Sequence, residues 1–307
     1  MKLNFNELYK IKSGVSQKKI YRFKNKNEGK VIVDFSYNYS DYLSFLEVHK
    51  FLSKINISIP TIYDADDDNN LIMMEDFGDT RYDKLISSGD PKEILIDAVN
   101  SLIEIQNSIK PVLNNILKQY SFSSFKLEIG EFADFYLPIN NVSAEKIDEF
   151  FYIWKLEFEN LNFKWNSFVH KDFELSNLMY LHKKEGHLKC GILDFQDAFI
   201  GFSGWDVFSL LENPRIYFEE KYNDELVEYF YNNTIQKIPL REFLTQYYFL
   251  NTARQTRIIG RWINLDKKNK NNDYSKYIDI TVKRLQKSLF HLQNKKLSSL
   301  YDSIIVK

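Results

Sequence analysis

The stretch that decides the fold is VHKDFELSN, residues 169–177, together with ILDFQD, residues 192–197. The first has the pattern His-x-Asp-x-x-x-x-Asn, and the second places Asp194 at the end of an apolar run, 22 residues after Asp172. Transfer of a phosphoryl group to a hydroxyl needs a carboxylate that accepts the proton and hard oxygen ligands for Mg²⁺. Asp172 is therefore the candidate general base, and Asn177 and Asp194 are the candidate metal ligands.

The residues between the two motifs predict a short hairpin. Residues 178–181 and 188–193 are rich in apolar side chains and flank the polar, glycine-containing sequence 183–186. Such a hairpin would bring Asn177 and Asp194 together at its open end. His170 is predicted to support the loop through hydrogen bonds to backbone groups.

An iron site is the alternative for His170, because His-x-Asp also opens a facial triad. That triad needs a distal histidine, and after His182 and His187 of the hairpin only His291 remains downstream. It would also leave the sequence DFQD, residues 194–197, without a role.

Composition bounds the class of protein. Hydrophobic residues make up 44% of the 307 residues, enough for one large domain or two lobes, and 41 Lys+Arg balance 42 Asp+Glu. This balance speaks against a nucleic-acid partner. Cys190 is the single cysteine, which indicates a reducing compartment. With no apolar run of a length that spans a bilayer, we expect a cytoplasmic monomer without a membrane partner.

The order of predicted elements gives an α+β fold class with a small β-rich N-terminal lobe and a larger, mainly helical C-terminal lobe. Strands are predicted near residues 20–23, 31–35, 62–64 and 71–74, and a helix over 42–54. Further helices are predicted over 94–109, 144–161, 220–262 and 275–297. We place a nucleotide-binding lobe with its hinge at residues 1–78, and a catalytic and substrate-binding lobe at 79–307.

The nucleotide side is marked less clearly. There is no Gly-x-Gly-x-x-Gly motif, and the sequence around Ser13, Gly14 and Ser16 fits either a phosphate-covering loop or an ordinary turn. A lysine is expected in the third strand, but residues 31–33 are Val-Ile-Val and Asp34 follows them.

Several stretches spread over nearly the whole chain match one family pattern. They are MEDFGD at 74–79, DFYLP at 134–138, the loop at 170–179, LDFQDA at 193–198, WDVFSLLE at 205–212 and residues 254–260. With these stretches the chain resembles the aminoglycoside phosphotransferase/choline kinase superfamily. Within it, the chain is most similar to the bacterial N-acetylmuramate/N-acetylglucosamine anomeric kinases of cell-wall recycling.

The resemblance implies a protein-kinase-like two-lobe fold, ATP as phosphoryl donor, and a small amino sugar as acceptor. It implies Asp172 as base, next to the transferred group, and Mg²⁺ on Asn177 and Asp194. The family tolerates a residue other than lysine in the third strand, as Asp34 requires here.

Further roles follow from the same resemblance. Glu75 and Phe77 would contact adenine through main-chain groups, with Met74 behind the ring. Asp206 matches an aspartate that braces the catalytic loop.

The sequence leaves both the acceptor and the roles of two arginines open. Arg254 matches a family arginine, and Arg257 follows on the same helix face; either binds the lactyl carboxylate of N-acetylmuramate or forms a salt bridge within the helical lobe. A kinase of another small alcohol (an aminoglycoside, choline or homoserine) is the alternative, and a nucleotide-binding pseudoenzyme is a more remote one. A protein kinase is disfavoured, because no Ala-Pro-Glu-like segment follows Asp194.

Overall fold

A computed structural model describes residues 4–11, 17–24, 29–87, 89–108, 117–161, 163, 165–216, 218–235, 238–268 and 273–305. Two compact units are present. Unit 1 comprises Met1–Leu117, His170–Phe199 and Glu228–Thr234, and unit 2 comprises Lys118–Val169, Ile200–Val227 and Ile235–Lys307. Unit 1 therefore contains both the N-terminal strands and the segment with Asp172, Asn177 and Asp194. The lobe boundary at residue 78 stays a prediction.

The N-terminal part of unit 1 is a five-stranded antiparallel sheet of order β1-β2-β3-β5-β4. Its strands are β1 Leu8–Ile11, β2 Lys19–Phe23, β3 Lys30–Asp34, β4 Ile62–Asp66 and β5 Leu71–Glu75. The predicted strands are confirmed, and β1 is an additional one. The alternation of β2 and β3 sends Ile32 and Tyr21 to one face, where they pack with Leu8 and Leu71.

Helix α1, Tyr39–Leu52, follows the third strand. The Asn38 side chain accepts a hydrogen bond from Ser40 N–H at 3.0 Å and caps the helix, so it begins three residues before the predicted start at residue 42. The helices α2, Tyr82–Leu85, and α3, Pro91–Ser108, complete the N-terminal segment of unit 1, and Pro91 occupies the first helical position.

Short strands interrupt the helices in the middle of the chain. Strand β6, Ser167–Val169, pairs with β9, Phe199–Gly201, and strand β7, Leu178–Tyr180, pairs with β8, Cys190–Ile192. The single cysteine, Cys190, is fully buried in β8.

Unit 2 is mainly helical. Its helices are α4 Phe122–Ile139, α5 Ala144–Asn160, α6 Trp205–Leu211, α8 Leu240–Lys268, α9 Ile278–Leu292 and α10 Lys295–Ile304. Helix α7, Glu220–Asn233, begins in unit 2 and ends in unit 1. Helices α4 and α8 approach closely at Gly260, where any Cβ would overlap the backbone of Glu131. None of the described helices combines the length and the apolar character needed to cross a bilayer.

Candidate active site

The β7–β8 hairpin brings the two predicted metal ligands to one place. Leu178 pairs with Ile192 and Tyr180 with Cys190, and the Leu193 N–H donates to the Asn177 carbonyl oxygen at 3.0 Å. Asn177 and the residue before Asp194 are therefore hydrogen-bonded neighbours at the open end of the hairpin. The predicted hairpin is confirmed.

Backbone contacts fix the hairpin on both edges within unit 1. On the β8 edge, the Ile192 N–H donates to Ser58 O at 2.8 Å; on the β7 edge, the Tyr180 N–H donates to Thr80 O at 2.7 Å. Because both edges are paired, Asn177 and Asp194 project from a rigid support, as a site for oriented ligands requires.

His170 ties the catalytic loop to the end of the hairpin. Its fully buried ring donates from Nε2 to the Leu193 carbonyl oxygen at 2.9 Å and lies edge-on to Phe173 at 5.6 Å. Burial lowers the pKa of His170, so the ring is neutral near pH 7. These contacts suit the predicted supporting role.

Asp172 is held through its backbone, whereas its carboxylate is available. The Asp172 carbonyl oxygen accepts from Asn177 Nδ2 at 2.9 Å and from Glu174 N–H at 2.8 Å. Among the described residues, none forms a hydrogen bond or ion pair with the Asp172 carboxylate. Lys171, directly before it, has a left-handed backbone with φ of 81°. Such backbone strain in a non-glycine residue is typical of functional loops.

The carboxylate of Asp194 is partly exposed, at 29%, and both of its contacts fall on Oδ1. Lys18 Nζ forms an ion pair with this oxygen, and Gln196 Nε2 donates to it at 2.8 Å. Burial raises the pKa of Asp194, but the Lys18 charge and the two hydrogen bonds outweigh it, so the pKa lies below its usual range. Asp194 is therefore ionised at neutral pH, with a left-handed φ of 66°.

These side chains fit Mg²⁺. The Asn177 amide uses Nδ2 on Asp172, which leaves Oδ1 as an oxygen ligand, and Asp194 Oδ2 has no partner within the described ranges. In the same ranges no group of three or more His, Cys, Asp or Glu forms a metal cage. Mg²⁺ is commonly held by one or two carboxylates plus substrate phosphates, so a sparse protein set suits it.

Helix α1 supports the segment after Asp194. Ser44 Oγ donates to the Gln196 carbonyl oxygen at 2.5 Å, and the Phe45 ring stacks on Phe195 at 4.6 Å. Asp197, which has no predicted role, places Oδ1 3.6 Å from Lys171 Nζ. The two strained loops, at Lys171 and at Asp194, are thus linked by an ion pair.

The predicted adenine contacts lie at the end of β5. Met74 is 8% exposed, and the Glu75 carboxylate accepts from Thr61 N–H at 3.2 Å. The Phe77 ring lies on Gly191 of β8, where an added Cβ would meet Cδ2 at 2.7 Å. Neither the N–H nor the C=O of Phe77 is hydrogen bonded to any residue the structure describes, so both are available to a base. The predicted phosphate-loop residues Ser13, Gly14 and Ser16 lie outside the described residues.

Lys18 was missed by sequence reasoning, which looked for a lysine in the third strand. It directly precedes β2 and is 7% exposed, with Gln196 Oε1 at 3.5 Å as a further contact of its Nζ. Two-residue spacing from Ile20 was the available signal, because it places Lys18 and Ile20 on the same sheet face.

The predicted substrate and support residues of the helical segment lie in unit 2. Arg254 is 2% exposed and donates to the Glu212 carbonyl oxygen at 3.5 Å, while Arg257 Nη1 lies 3.8 Å from Glu128 Oε1. Asp206 is buried in the first turn of α6. The roles assigned to Arg254, Arg257 and Asp206 stay predictions.

The five-stranded antiparallel sheet of unit 1 and the mainly helical unit 2 are the parts of a protein-kinase-like fold. Residues 10–240 match the phosphotransferase enzyme family, and the chain belongs to that family.

The relatives of the chain include proteins named N-acetylmuramate/N-acetylglucosamine kinase. The protein from Caulobacter vibrioides is 26% identical over 194 residues, which cover 56% of this chain and 50% of the relative. The protein from Pseudomonas aeruginosa is 26% identical over 263 residues, which cover 83% of this chain and 75% of the relative. The match thus spans about half the length of the first relative.

Solved structures share the fold. A microcompartment-associated aminopropanol kinase superimposes with a TM-score of 0.66 at 13% identity, covering 96% of this chain and 94% of that one. A GDP complex of an aminoglycoside 2′-phosphotransferase superimposes with a TM-score of 0.63 at 13% identity, covering 94% and 93%. The predicted fold class is confirmed.

Proposed function

We propose that the chain is an ATP-dependent, Mg²⁺-requiring kinase that phosphorylates the anomeric hydroxyl of an N-acetylated amino sugar in cell-wall recycling. The acceptor is N-acetylmuramate, N-acetylglucosamine or both. The observation that carries the proposal is the hydrogen-bonded hairpin end, where Asn177 and Asp194 meet beside the catalytic loop of Asp172. The names of the relatives support the choice of acceptor.

The reaction assigns one chemical step to Asp172. Its carboxylate accepts the proton of the anomeric hydroxyl while that oxygen forms a bond to the γ-phosphorus of ATP. The bond between this phosphorus and the bridging oxygen breaks, and its electron pair leaves with ADP. Asn177 would orient the base through its Nδ2 bond to the Asp172 carbonyl oxygen.

Asn177 Oδ1 and Asp194 would hold Mg²⁺, which when bound neutralises charge on the phosphates. Phe77 would offer its main-chain N–H and C=O to adenine, with Met74 behind the ring. The neutral ring of His170 keeps the catalytic loop attached to Leu193.

Acceptor choice depends on a carboxylate, because N-acetylmuramate carries a lactyl group that N-acetylglucosamine lacks. Arg257 is the more exposed candidate for recognition of that group: its side chain is 16% exposed, and its Nη1 lies 3.8 Å from Glu128 Oε1. Arg254 is the deeper candidate. An arginine that binds the lactyl group would affect the KM for N-acetylmuramate alone.

A coupled ADP-release assay tests the proposal with N-acetylmuramate, N-acetylglucosamine, choline, homoserine and aminoglycosides as acceptors. Turnover is expected with the amino sugars, and Asp172→Asn should lower kcat by about 10²–10⁴-fold. Turnover only with another small alcohol would replace the acceptor class by the alternative. No turnover with any acceptor, although ATP binds, would favour a pseudoenzyme.

The proposal also includes a cytoplasmic, monomeric enzyme. The buried single cysteine Cys190 supports a reducing compartment. Light scattering at micromolar concentration should return the 36.7 kDa mass of one chain.

A further inference from the structure

Lys18, in unit 1, has no role in the kinase chemistry proposed above, although its ammonium group contacts a predicted metal ligand. Its stem is buried, and Nζ lies on Asp194 Oδ1 with Gln196 Oε1 at 3.5 Å and the Phe35 ring centroid at 5.6 Å. Gln196 also donates to Asp194 at 2.8 Å. One neutral amide therefore contacts both members of the ion pair.

The register of the sheet shows where Lys18 lies relative to the third strand. Lys19 pairs with Asp34 and Ile20 with Val33. Extending this register by one residue places Lys18 opposite Phe35, in agreement with its contact with that ring. Because side chains alternate, Lys18 shares a face with Ile20 and Val33. It approaches Asp194 from the side of the sheet on which a lysine at position 33 would lie.

The neighbouring cations of the sheet contact other groups. Lys19 Nζ lies 3.9 Å from Asp34, and Lys30 Nζ lies 5.2 Å from the centre of the Tyr63 ring. Arg22 forms ion pairs with Asp76 at 2.6 Å and with Asp79. Lys18 is the one of these four that contacts the predicted metal ligand.

A buried ammonium group needs a counter-charge or a hydrogen-bond partner, because burial removes its contacts with water. When Asp194 serves as a metal ligand, Lys18 shares its carboxylate with a second cation and needs another anion nearby. The phosphates of the nucleotide are the anions that the proposed reaction supplies. The four-carbon stem of lysine allows Nζ to turn toward them while Gln196 Oε1 stays within reach.

We infer that Lys18, entering from the second strand, is the residue that binds the ATP phosphates in place of a third-strand lysine, with Gln196 as its positioning residue. This inference rests on the proposed function in taking MgATP as the donor and Asp194 as a metal ligand. It does not depend on which sugar or alcohol is phosphorylated.

Equilibrium binding tests this role without any measurement of turnover. Isothermal titration calorimetry compares MgATP and adenosine as ligands of the wild type, Lys18→Gln and the matched control Lys19→Gln. Lys18→Gln removes the charge and keeps hydrogen-bonding atoms, so it should weaken MgATP binding at least about tenfold while adenosine binding stays within about twofold. Lys19→Gln should change neither, because the Lys19 side chain is 49% exposed.

A second variant separates charge from packing. Lys18→Arg keeps the cation and should bind MgATP within about threefold of the wild type. Equal MgATP affinity of Lys18→Gln and the wild type would overturn the inference, as would an equal loss for MgATP and adenosine. A wild type that binds neither ligand would instead overturn the proposed function, and the inference with it.

Discussion

Two carboxylates with similar partners illustrate how differently one chain uses buried charge. Glu212, in unit 2, is 3% exposed and contacts Arg284, Lys287 at 3.4 Å and Asn223 at 3.3 Å. Burial raises the pKa of Glu212, but the two cations outweigh it and lower the pKa overall. Asp194, in unit 1, also has a lowered pKa and a lysine partner.

The difference lies in how completely charged and polar partners surround each carboxylate; we call this set of partners its shell. Both oxygens of Glu212 are engaged by cations, with Arg284 on Oε2 and Lys287 on Oε1. Asp194 has both of its contacts on Oδ1 and is 29% exposed, on a strained left-handed backbone. A closed shell indicates a structural ion pair, and a half-open shell on a strained loop indicates a binding site.

The largest expected effect is on catalysis at the open shell. Asp194→Asn removes the ionised metal ligand, so kcat should fall by about 10³–10⁴-fold, roughly 4–5.5 kcal/mol. The free energy of unfolding, measured in guanidinium chloride, should fall by about 1–2 kcal/mol, because the buried Lys18 loses its counter-charge but keeps Gln196 Oε1 at 3.5 Å, and Asp194 is 29% exposed. Full activity of this variant would remove Asp194 from the metal site.

The closed shell should show the opposite behaviour. Glu212→Gln leaves Arg284 without the buried carboxylate that it contacts and leaves Lys287 with the exposed Asp224, which should cost about 3–5 kcal/mol of unfolding free energy. The control is Asp224→Asn, because Asp224 is 57% exposed and lies 3.7 Å from the same Lys287. This control should cost less than about 1 kcal/mol. Equal losses in the two variants would contradict the distinction drawn between closed and open shells.

A third effect concerns packing in unit 2 only. Gly260→Ala would press a methyl group into the backbone of α4 at Glu131, which cannot rotate away. The expected loss is about 2–3 kcal/mol of unfolding free energy. The KM for ATP in the folded fraction should be unchanged. Thermal unfolding by circular dichroism measures the loss, and a gain in stability would be the contrary result.

The dependence of stability on pH should show how much the ionised Glu212 contributes to the free energy of unfolding. The pKa of Glu212 is lowered on folding, so its contribution is present above the ordinary value of 4.5 and is lost as pH falls through the folded pKa. Between pH 6 and pH 3, the stability of the wild type should therefore fall more steeply than that of Glu212→Gln. The difference in slope is at most about 1.4 kcal/mol per pH unit. Parallel profiles would show that Glu212 does not titrate in this range.

The smallest effect is expected at the glycine of the hairpin. Gly191→Ala would meet Phe77 Cδ2 at 2.7 Å and the Met179 carbonyl oxygen at 3.2 Å; the ring can shift, and the backbone contact needs a much smaller adjustment. Displacing Phe77 should raise the KM for ATP about fivefold, roughly 1 kcal/mol, with little loss of stability. Ala65→Gly, at an exposed position of β4, serves as the comparison for an exchange between glycine and alanine outside the site.

Much of the site could be predicted because its residues are close in sequence. Asn177 and Asp194 meet through a hairpin of local contacts, so spacing and alternation suffice to bring them together. Lys18 could not be found in this way, since its contact with Asp194 spans 176 residues. It depends on strand register, which periodicity alone does not fix.

Helix α4 was not predicted either. Phe122–Ile139 contains Gly130 and Pro138 and is rich in aromatic residues, all of which lower helix propensity. Its formation follows from burial of Phe125, Ile129 and Phe132 within unit 2, and tertiary packing of that kind overrides local preference.

The single cysteine, Cys190 in β8, can report on local opening of the structure around the hairpin. Cys190 is fully buried, and burial raises the pKa of its thiol to about 12, so the native state offers almost no thiolate to a reagent. Any modification must therefore pass through a state in which the packing around the thiol, including Ser101 and Tyr82, has opened. The rate of thiol labelling in the wild type then measures how often this part of unit 1 opens.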